Sequence, residues 1–282
     1  MGGAPAERAG EDPRRDHGRE GVLSLPVRLL DRLDRELGDG AGLVVILDYD
    51  GTLTPLVSSP GAAVLAPSVR ATLARLAASE RARLAILSGR GLADLRARVA
   101  LDGVVYGGCY GLEIAGRRLR FRHPRARRSG VAATERALAA ALRSVPGARL
   151  ECKGLAVSLH YRRVVPSRRR AVREIAAQVL SRRPDLALIA GHLVFDFLPR
   201  VGWDKGTAAR WMVSRMVRTL PARRAVIVYA GDDASDEMAF AALRGRALTI
   251  HVGARPTAAE YRVRGVRDVQ TLLHRLASFV TA

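Results

Sequence analysis

The chain has 282 residues, of which 48% are hydrophobic, and 47 Lys and Arg against 27 Asp and Glu give a formal net charge of +20. This length and apolar content allow a large buried core, which excludes a wholly disordered chain. No stretch reaches the 18 apolar residues of a membrane span, and two cysteines cannot form a disulfide framework. We therefore expect a soluble, cytoplasmic protein with no membrane partner, in which Cys109 and Cys152 are free thiols.

The high positive charge is also typical of nucleic-acid-binding proteins. Here, however, only two of the 47 basic residues are Lys, and Arg is spread through every segment. Aromatic residues make up 5% of the chain, which leaves few side chains to stack on bases. We interpret the charge as a composition bias and expect no nucleic-acid partner, with a basic nucleic-acid-binding module as an alternative. A positive field would attract an anionic small molecule such as a phosphate ester.

The chain begins with a polar tail. Residues 1–21 have no apolar period and are predicted to be disordered. Apolar residues at helical spacing over Leu25–Leu37 predict an amphipathic helix, which Gly38 would end. The continuous apolar run Leu43–Leu47 is typical of a strand buried on both faces, and the polar sequence Asp48-Tyr49-Asp50-Gly51 follows it directly.

Two more buried strands are predicted further along the chain. Leu84–Leu87 precedes Ser88, and Ala225–Tyr229 precedes Gly231-Asp232-Asp233. Helical patterns alternate with the strands, over Ser68–Ser79, Gly91–Ala100, Lys205–Leu220 and Ala234–Leu243. This alternation predicts an α/β fold with a doubly wound, mostly parallel sheet covered on both faces. Ligands of such sheets bind beyond the carboxyl ends of the strands, which is where the polar clusters fall.

The middle of the chain has a different pattern. Residues 112–122 and 186–197 read as hairpins, and residues 155–162 read as an alternating strand. Two helices are expected near Val131–Arg143 and Ser167–Ser181. We interpret residues 112–198 as an inserted α+β cap, with residues 22–111 and 199–282 forming the catalytic core.

The segment after the first strand carries the strongest chemical signal. Asp48 and Asp50 can both reach a crevice if the chain turns at Gly51, so one carboxylate could act as nucleophile and the other as general acid and base. A lone pair of this kind is usually only a turn. A carboxylate that attacks phosphorus also needs cationic help, which a metal ion and Lys205 could supply.

Three later carboxylates and one hydroxyl complete the set. Asp232, Asp233 and Asp236 offer hard oxygen ligands that suit Mg²⁺. Ser88 and the amides after it could bind a phosphate at a helix start. Each cluster alone could be a helix cap, but four clusters in this order and at these strand ends indicate a site.

These four motifs in this order resemble those of the haloacid dehalogenase superfamily of phosphohydrolases. The resemblance implies a haloacid dehalogenase-like core, Mg²⁺ as cofactor and an aspartyl-phosphate intermediate. It implies roles for seven residues: Asp48 as nucleophile, Asp50 as acid and base, Ser88 and Lys205 as phosphate-holding groups, Asp48, Asp50 (by its backbone carbonyl) and Asp232 as metal ligands, and Asp233 and Asp236 as supporting acids.

Within the superfamily, residues 41–255 are similar to the trehalose-6-phosphate phosphatase family. The similarity lies in LDYDGTLTPL (47–56), ILSGR (86–90), GLE (111–113), ECK (151–153), SLHYR (158–162), GWDKG (202–206) and GDDxxDE (231–237). It implies hydrolysis of trehalose 6-phosphate to trehalose and phosphate, and a functional link with a trehalose-6-phosphate synthase. It implies that the sugar phosphate is contacted by Arg90, Glu113, Glu151, Lys153, His160 and Arg162, although His160 could instead orient its strand.

Some positions depart from the family pattern. Tyr110, after Cys109, stands where the family usually has His, and His192 and Asp196 stand where it tends to have Lys and Glu. These changes leave open a related capped phosphatase acting on sucrose 6-phosphate or a glycosyl 3-phosphoglycerate. A catalytically silent sugar-phosphate-binding domain is a further alternative, against which the intact catalytic carboxylates and Lys205 argue.

Overall fold

The computed structural model describes residues 25–38, 40–57, 60–116 and 118–281. The tail predicted at residues 1–21 lies outside these residues. The helices in this part of the chain are α1 Val27–Gly38, α2 Pro67–Ala78, α3 Leu92–Val99, α4 Arg128–Ala141, α5 Arg169–Ser181, α6 Lys205–Met216, α7 Ala234–Leu243 and α8 Val266–Thr281. The strands are β1 Gly42–Leu47, β2 Ala82–Leu87, β3 Val105–Gly108, β4 Glu113–Gly116, β5 Leu119–Arg122, β6 Arg149–Cys152, β7 Val157–His160, β8 Leu186–Gly191, β9 Val194–Pro199, β10 Ala225–Gly231, β11 Leu248–Val252 and β12 Tyr261–Val263.

A large sheet forms the centre of the molecule. Its strand order in the described residues is β12-β11-β10-β1-β2-β3-β4-β5, and the six strands from β12 to β3 run parallel. The central strand β1 is buried at every position because helices cover both faces of the sheet. The chain fills one side of β1 with β2 and β3 and later the other side with β10 to β12, so the order reverses between β1 and β10. Such a reversal opens a ligand crevice at the carboxyl ends of the strands.

Alternate side chains of β1 enter two different hydrophobic layers. Leu43 and Val45 pack with α1, α2 and α8 on one face, and Val44 and Ile46 pack with α6 and α7 on the other. This period of two is the ordinary geometry of a strand. The layers fix β1 from both sides and hold its carboxyl end in place.

A second, smaller sheet lies in the middle of the chain. Its order is β6-β7-β9-β8, and all its neighbouring strands are antiparallel. Helices α4 and α5 cover one face and bury a separate hydrophobic core that includes Val157, Leu159 and Phe197. The predicted fold class, a mostly parallel α/β sheet with an inserted α+β module, is confirmed.

The hairpin predicted at residues 112–122 is present but is not part of the small sheet. Its strands β4 and β5 extend the large sheet as an antiparallel edge next to β3. The prediction that placed these residues in the inserted module did not foresee this, because the module and the edge of the large sheet are both antiparallel and share one hydropathy pattern.

The chain leaves the large sheet and returns to it at neighbouring points. After β5, Arg125 Nη2 donates to the carbonyl of Val201 at 2.8 Å. Ala126 and Val201 belong to one buried cluster with Leu155 and Leu198. The small sheet is therefore joined to the large one by two adjacent stretches of chain.

Both cysteines are free thiols, as predicted, with Cys109 buried and Cys152 exposed. Among the helices of the described residues, none has the length and apolar character needed to cross a membrane.

Candidate active site

Carboxylates meet at the carboxyl ends of β1 and β10. The two strands are in register, with Leu47 opposite Ala230, and the amide of Asp48 donates to the carbonyl of Ala230 at 2.9 Å. Asp48 is the first residue after β1, and Asp232 is the first after β10. Asp48 is 4% exposed. The predicted convergence of these two motifs at one edge of the sheet is therefore present in the structure.

Lys205, at the start of α6, binds the carboxylates of Asp48 and Asp236. Its Nζ lies 2.7 Å from Asp48 Oδ1 and 2.9 Å from Asp236 Oδ1. Asp204 caps the helix by accepting from the amide of Thr207 at 2.7 Å, which fixes the position of its first turn. Burial lowers the pKa of Lys205, but the charges of Asp236 and Asp48 raise it by more. The pKa therefore lies well above its usual value, and the ammonium stays charged.

Asp236 is held by four hydrogen bonds. Its Oδ1 accepts from Lys205 and from Tyr229 Oη at 2.7 Å, and its Oδ2 accepts from the amides of Asp232 and Asp233 at 3.1 Å. Asp236 thereby orders the loop that carries the other two carboxylates. Tyr229 was not among the predicted site residues; its signal in the sequence is a phenol within an otherwise aliphatic strand, three residues before Asp232.

The carboxylates fit a divalent cation. One oxygen each from Asp48, Asp232 and Asp236 lie within 4.8 Å of one another. Burial, together with the charges of Asp236 and Asp233, raises the pKa of Asp232 to about 7. A nearby cation would stabilise the ionised form of such a group, and hard oxygen donors suit Mg²⁺. Because Asp236 already accepts four hydrogen bonds, Asp48 and Asp232 are the carboxylates best placed to bind the ion.

The turn after Asp50 depends on Gly51. Its φ is +82°, and a Cβ added there would overlap the carboxylate of Asp232. Thr52, the next residue, donates from Oγ1 to Asp232 Oδ1 at 3.3 Å. The need for a glycine at this turn is predictable from the sequence, but the Thr52 contact is not, because it joins residues 180 positions apart.

Asp50 is bound by an arginine. Arg90 donates from Nε to Asp50 Oδ2 at 2.6 Å and from Nη2 to Asp50 Oδ1 at 2.7 Å. A third contact from Arg90 Nη1 reaches Asp94 Oδ2 at 2.9 Å. Arg90, predicted to bind substrate, is 6% exposed and lies beside Asp50. Asp94 was not among the predicted residues, although its position four residues after Arg90 on α3 is the spacing of a helical ion pair.

Ser88 lies at the end of β2, the other neighbour of β1. It is buried, and its Oγ accepts from the amide of Arg90 at 3.2 Å. Its carbonyl accepts from the amide of Tyr110 at 2.9 Å. The hydroxyl predicted to hold phosphate therefore lies at the same edge of the sheet as Asp48.

The small sheet presents a polar row on the face not covered by its helices. Glu151 in β6 lies opposite Ser158 in β7, which lies opposite Asp196 in β9. Directly opposed residues of antiparallel strands share a face, whereas the neighbours Val157 and Leu159 enter the core beneath α4 and α5.

Two members of this row, Glu151 and Asp196, each pair with a neighbouring basic side chain. His160 Nε2 donates to Glu151 Oε2 at 2.8 Å, and Lys153 Nζ lies 3.3 Å from Asp196 Oδ1. The hydrogen bond from His160 lowers the pKa of Glu151, burial opposes this, and Lys153 adds to the lowering. The carbonyl of Lys153 accepts from Cys109 Sγ at 3.2 Å, which places the row against the core. The structure thus brings together Glu151, Lys153 and His160 from the predicted substrate-binding set.

The remaining predicted residues lie apart from the row. Glu113 Oε1 is 3.5 Å from Arg122 Nε and 3.4 Å from Arg128 Nη2. Arg162 is exposed, and so is His192 in the turn between β8 and β9. Within the described residues, no hydrogen bond or ion pair joins these side chains to the polar row.

Comparisons with known proteins agree with this arrangement. Residues 46–267 match the family model described as trehalose-phosphatase. The chain is 36% identical over 293 residues to the trehalose-phosphate phosphatase of Mycobacterium marinum, and the alignment covers 93% of this chain and 73% of that protein. The structure of the Candida albicans trehalose-6-phosphate phosphatase C-terminal domain has a TM-score of 0.73 and 21% identity, covering 88% of this chain and 96% of that one.

A more distant structure shows the same fold. A haloacid dehalogenase-like hydrolase from Bacteroides thetaiotaomicron has a TM-score of 0.60 at 14% identity and covers 83% of this chain and 99% of that chain. At these identities the two solved structures show the fold, while the family model and the mycobacterial relative show the family.

Proposed function

The chain belongs to the trehalose-phosphatase family, and on that premise we propose that it hydrolyses trehalose 6-phosphate to trehalose and phosphate with Mg²⁺ as cofactor. The observation that carries this proposal is the buried contact of 2.7 Å between Lys205 Nζ and Asp48 Oδ1, beside Asp232 at the carboxyl ends of the central strands. One ammonium there can orient the attacking carboxylate and also neutralise a phosphoryl oxygen.

Asp48 is the proposed nucleophile. Its free carboxylate oxygen attacks phosphorus, and the bond between phosphorus and the sugar's 6-oxygen breaks, which leaves an aspartyl phosphate. Water then attacks the phosphorus, and the bond between phosphorus and the Asp48 oxygen breaks, which releases phosphate and restores the carboxylate. Ser88 and the amides after it would hold the phosphoryl oxygens through both steps.

Asp50 is the proposed general acid and base. It gives a proton to the departing sugar oxygen and takes one from the attacking water. Both of its oxygens are bound by Arg90 in the structure. Asp50 must therefore exchange part of this contact for the sugar oxygen, and Arg90 sets where the carboxyl group starts. Arg90 would therefore control the position of the Asp50 carboxyl group for proton transfer, rather than serve only as a phosphate ligand.

Mg²⁺, bound by Asp48, Asp232 and the backbone carbonyl of Asp50, would supply positive charge that stabilises the phosphoryl group during transfer. Asp233 and Asp236 support this site. Asp233 caps α7 by accepting from the amide of Ser235 at 2.8 Å, and Asp236 orders the loop from within.

The proposed cap is the inserted module that the sequence predicts at residues 112–198, without the hairpin β4–β5, which extends the large sheet. Its polar row is the proposed sugar-binding surface. Carboxylates and an ammonium bind sugar hydroxyls well because each offers several hydrogen-bonding directions. Glu151 with His160, and Lys153 with Asp196, provide two such groups on the face toward the core. Closure of this face over the sugar would exclude bulk water during transfer. Contact of Glu113 and Arg162 with the sugar phosphate stays a prediction. The functional link with a synthase and the cytoplasmic location also stay predictions.

The test is phosphate release with Mg²⁺ from trehalose 6-phosphate, sucrose 6-phosphate, glucosyl 3-phosphoglycerate and an aryl phosphate. Wild-type protein should prefer trehalose 6-phosphate by at least about 100-fold in kcat/KM, since a built polar site discriminates strongly. Asp48→Asn should show no turnover of any of the four, because the amide cannot attack phosphorus.

Preference for another sugar phosphate would mean that the protein has a different substrate but the same phosphatase mechanism. Full activity of Asp48→Asn would remove the proposed mechanism. No phosphate release by wild-type protein from any of the four compounds would favour a silent sugar-phosphate-binding domain.

A further inference from the structure

A turn with unusual backbone geometry joins β3 to β4 in the large sheet and contacts the small sheet. Cys109, Tyr110 and Gly111 have φ values of 48°, 59° and 83°. Two consecutive non-glycine residues in the left-handed region are unfavourable and persist only where surrounding contacts hold them. Backbone strain of this kind is concentrated at functional sites, which points to a functional role for a side chain of this turn.

The turn is bound to the segment that carries Ser88. The amide of Cys109 donates to the carbonyl of Arg90 at 2.7 Å, and the amide of Tyr110 donates to the carbonyl of Ser88 at 2.9 Å. The ring of Tyr110 lies over Gly89, where an added Cβ would be 2.8 Å from Tyr110 Cζ. The core thus fixes both the backbone and the ring of Tyr110.

The hydroxyl of Tyr110 reaches the small sheet. It donates to Asp196 Oδ2, and the other oxygen of the same carboxylate accepts from Ser158 Oγ and from Lys153 Nζ. All four side chains are buried or nearly so. One carboxylate therefore joins a core phenol on one side to an ammonium of the small sheet on the other.

We propose that Tyr110 is a positioning residue that holds Asp196, and through it the Lys153 ammonium, in the place where the sugar phosphate binds. The substrate in this proposal rests on the proposed function. Tyr110 and Asp196 are two of the positions where the sequence departs from the family pattern, and the structure brings them into contact. A longer phenol reaches a carboxylate whose side chain is one methylene shorter than that of Glu.

The charge balance around Lys153 supports this role. Burial lowers its pKa, but Asp196 and Glu151, with Cys109 nearby, raise it, and the pKa ends above its usual value. Lys153 therefore remains an ammonium bound to Asp196. Without the phenol hydroxyl, no described residue of the large sheet donates to Asp196 Oδ2, and the ion pair loses this hydrogen bond to the large sheet.

Direct observation of Lys153 is practical because the chain contains only two lysines, Lys153 and Lys205. Protein labelled with ¹³C-lysine gives two Cε signals by NMR, which Lys153→Arg assigns. Tyr110→Phe should shift or broaden the Lys153 signal and leave the Lys205 signal in place. Tyr106→Phe is the matched control, because it also removes a buried hydroxyl, one that donates to the carbonyl of Leu101.

Kinetics give the second readout. Tyr110→Phe should raise KM for trehalose 6-phosphate about 10-fold with kcat nearly unchanged, as expected for a lost hydrogen bond to a charged group. Its kcat/KM for a small aryl phosphate should change less than about two-fold, since that substrate does not reach Lys153. Asp196→Asn should act in the same direction, and adding Tyr110→Phe to it should have little further effect.

An unchanged Lys153 signal in Tyr110→Phe would overturn the proposal, and so would equal losses on both substrates. Should wild-type protein hydrolyse the aryl phosphate but not trehalose 6-phosphate, the proposed substrate fails, and the Lys153 signal still decides the role of Tyr110. If Tyr110→Phe does not fold, the NMR signal of Asp196→Asn decides instead, because an intact Lys153 signal there also refutes the chain of contacts.

Discussion

Replacing Asp232 by Asn should stabilise the metal-free protein while removing its Mg²⁺-dependent activity. Asp232 lies among several carboxylates, and in the described residues its side chain accepts one hydrogen bond, from Thr52 Oγ1 at 3.3 Å. Asn has the same shape and keeps a carbonyl oxygen for Thr52. The substitution therefore removes a half-buried charge without creating a cavity, and it also removes a proposed ligand of the metal.

The size of the effect follows from the pKa of Asp232, which rises from 3.8 to about 7 on folding, chiefly because of burial. A raised carboxyl pKa means that the folded state keeps its proton longer, so stability falls as pH rises from about 4 to about 7. At 1.36 kcal/mol per unit, the full penalty is about 4 kcal/mol at pH 8 and about 1.5 kcal/mol at pH 5. Relaxation of the neighbouring carboxylates reduces these values, and we expect a gain from Asp232→Asn of about 2–4 kcal/mol at pH 8.

Urea unfolding in EDTA at pH 5 and pH 8 measures this gain, and thermal unfolding at pH 8 should show a rise in Tm of about 4–10 °C. Asp233→Asn is the matched control. Burial raises the pKa of Asp233, but Lys205 and Ser235 lower it below its usual value, so loss of this charge should destabilise the protein at both pH values. A gain for Asp232→Asn that does not grow with pH, or a loss at pH 8, would refute the reasoning.

Three further predictions concern the site. Gly51→Ala should lower kcat/KM at least about 100-fold, because its Cβ would overlap Asp232 and its φ of +82° disfavours a side chain; phosphate release measures this, and activity near wild type contradicts it. Arg90→Lys should lower kcat about 10-fold, because one ammonium cannot replace the two-point contact to Asp50; an unchanged kcat would show that Arg90 does not prepare the acid. Glu151→Ala should reduce turnover of trehalose 6-phosphate at least about 10-fold more than turnover of an aryl phosphate, with equal losses counting against the sugar-binding row.

The sequence was sufficient to predict the centre of the fold and the meeting of its motifs. The run Leu43–Leu47 has no polar position and is rich in β-branched residues, which is typical of a strand covered on both faces, and the topology rules then bring its end next to that of Ala225–Tyr229. The sequence alone therefore predicts that Asp48 and Asp232 lie close together.

Contacts between distant residues were not predictable in the same way. The Thr52–Asp232 bond and the Tyr110–Asp196 bond depend on how the two sheets are placed, which local periodicity does not specify. Helix α8 was not among the predicted helices, although its buried residues Val269, Leu272 and Leu276 follow the helical period. The hairpin β4–β5 was predicted within the inserted module but extends the large sheet, because antiparallel strands in both places alternate alike.

The two adjacent connections between the sheets bear on how such a molecule can change over evolution. Because Arg125 touches Val201, the segment between them starts and ends at almost one point of the large sheet. A segment inserted in this manner can be lengthened, shortened or exchanged without rerouting any strand of the sheet that carries Asp48. Selection for a new substrate can therefore act on the polar row of the small sheet while the phosphate chemistry is inherited intact.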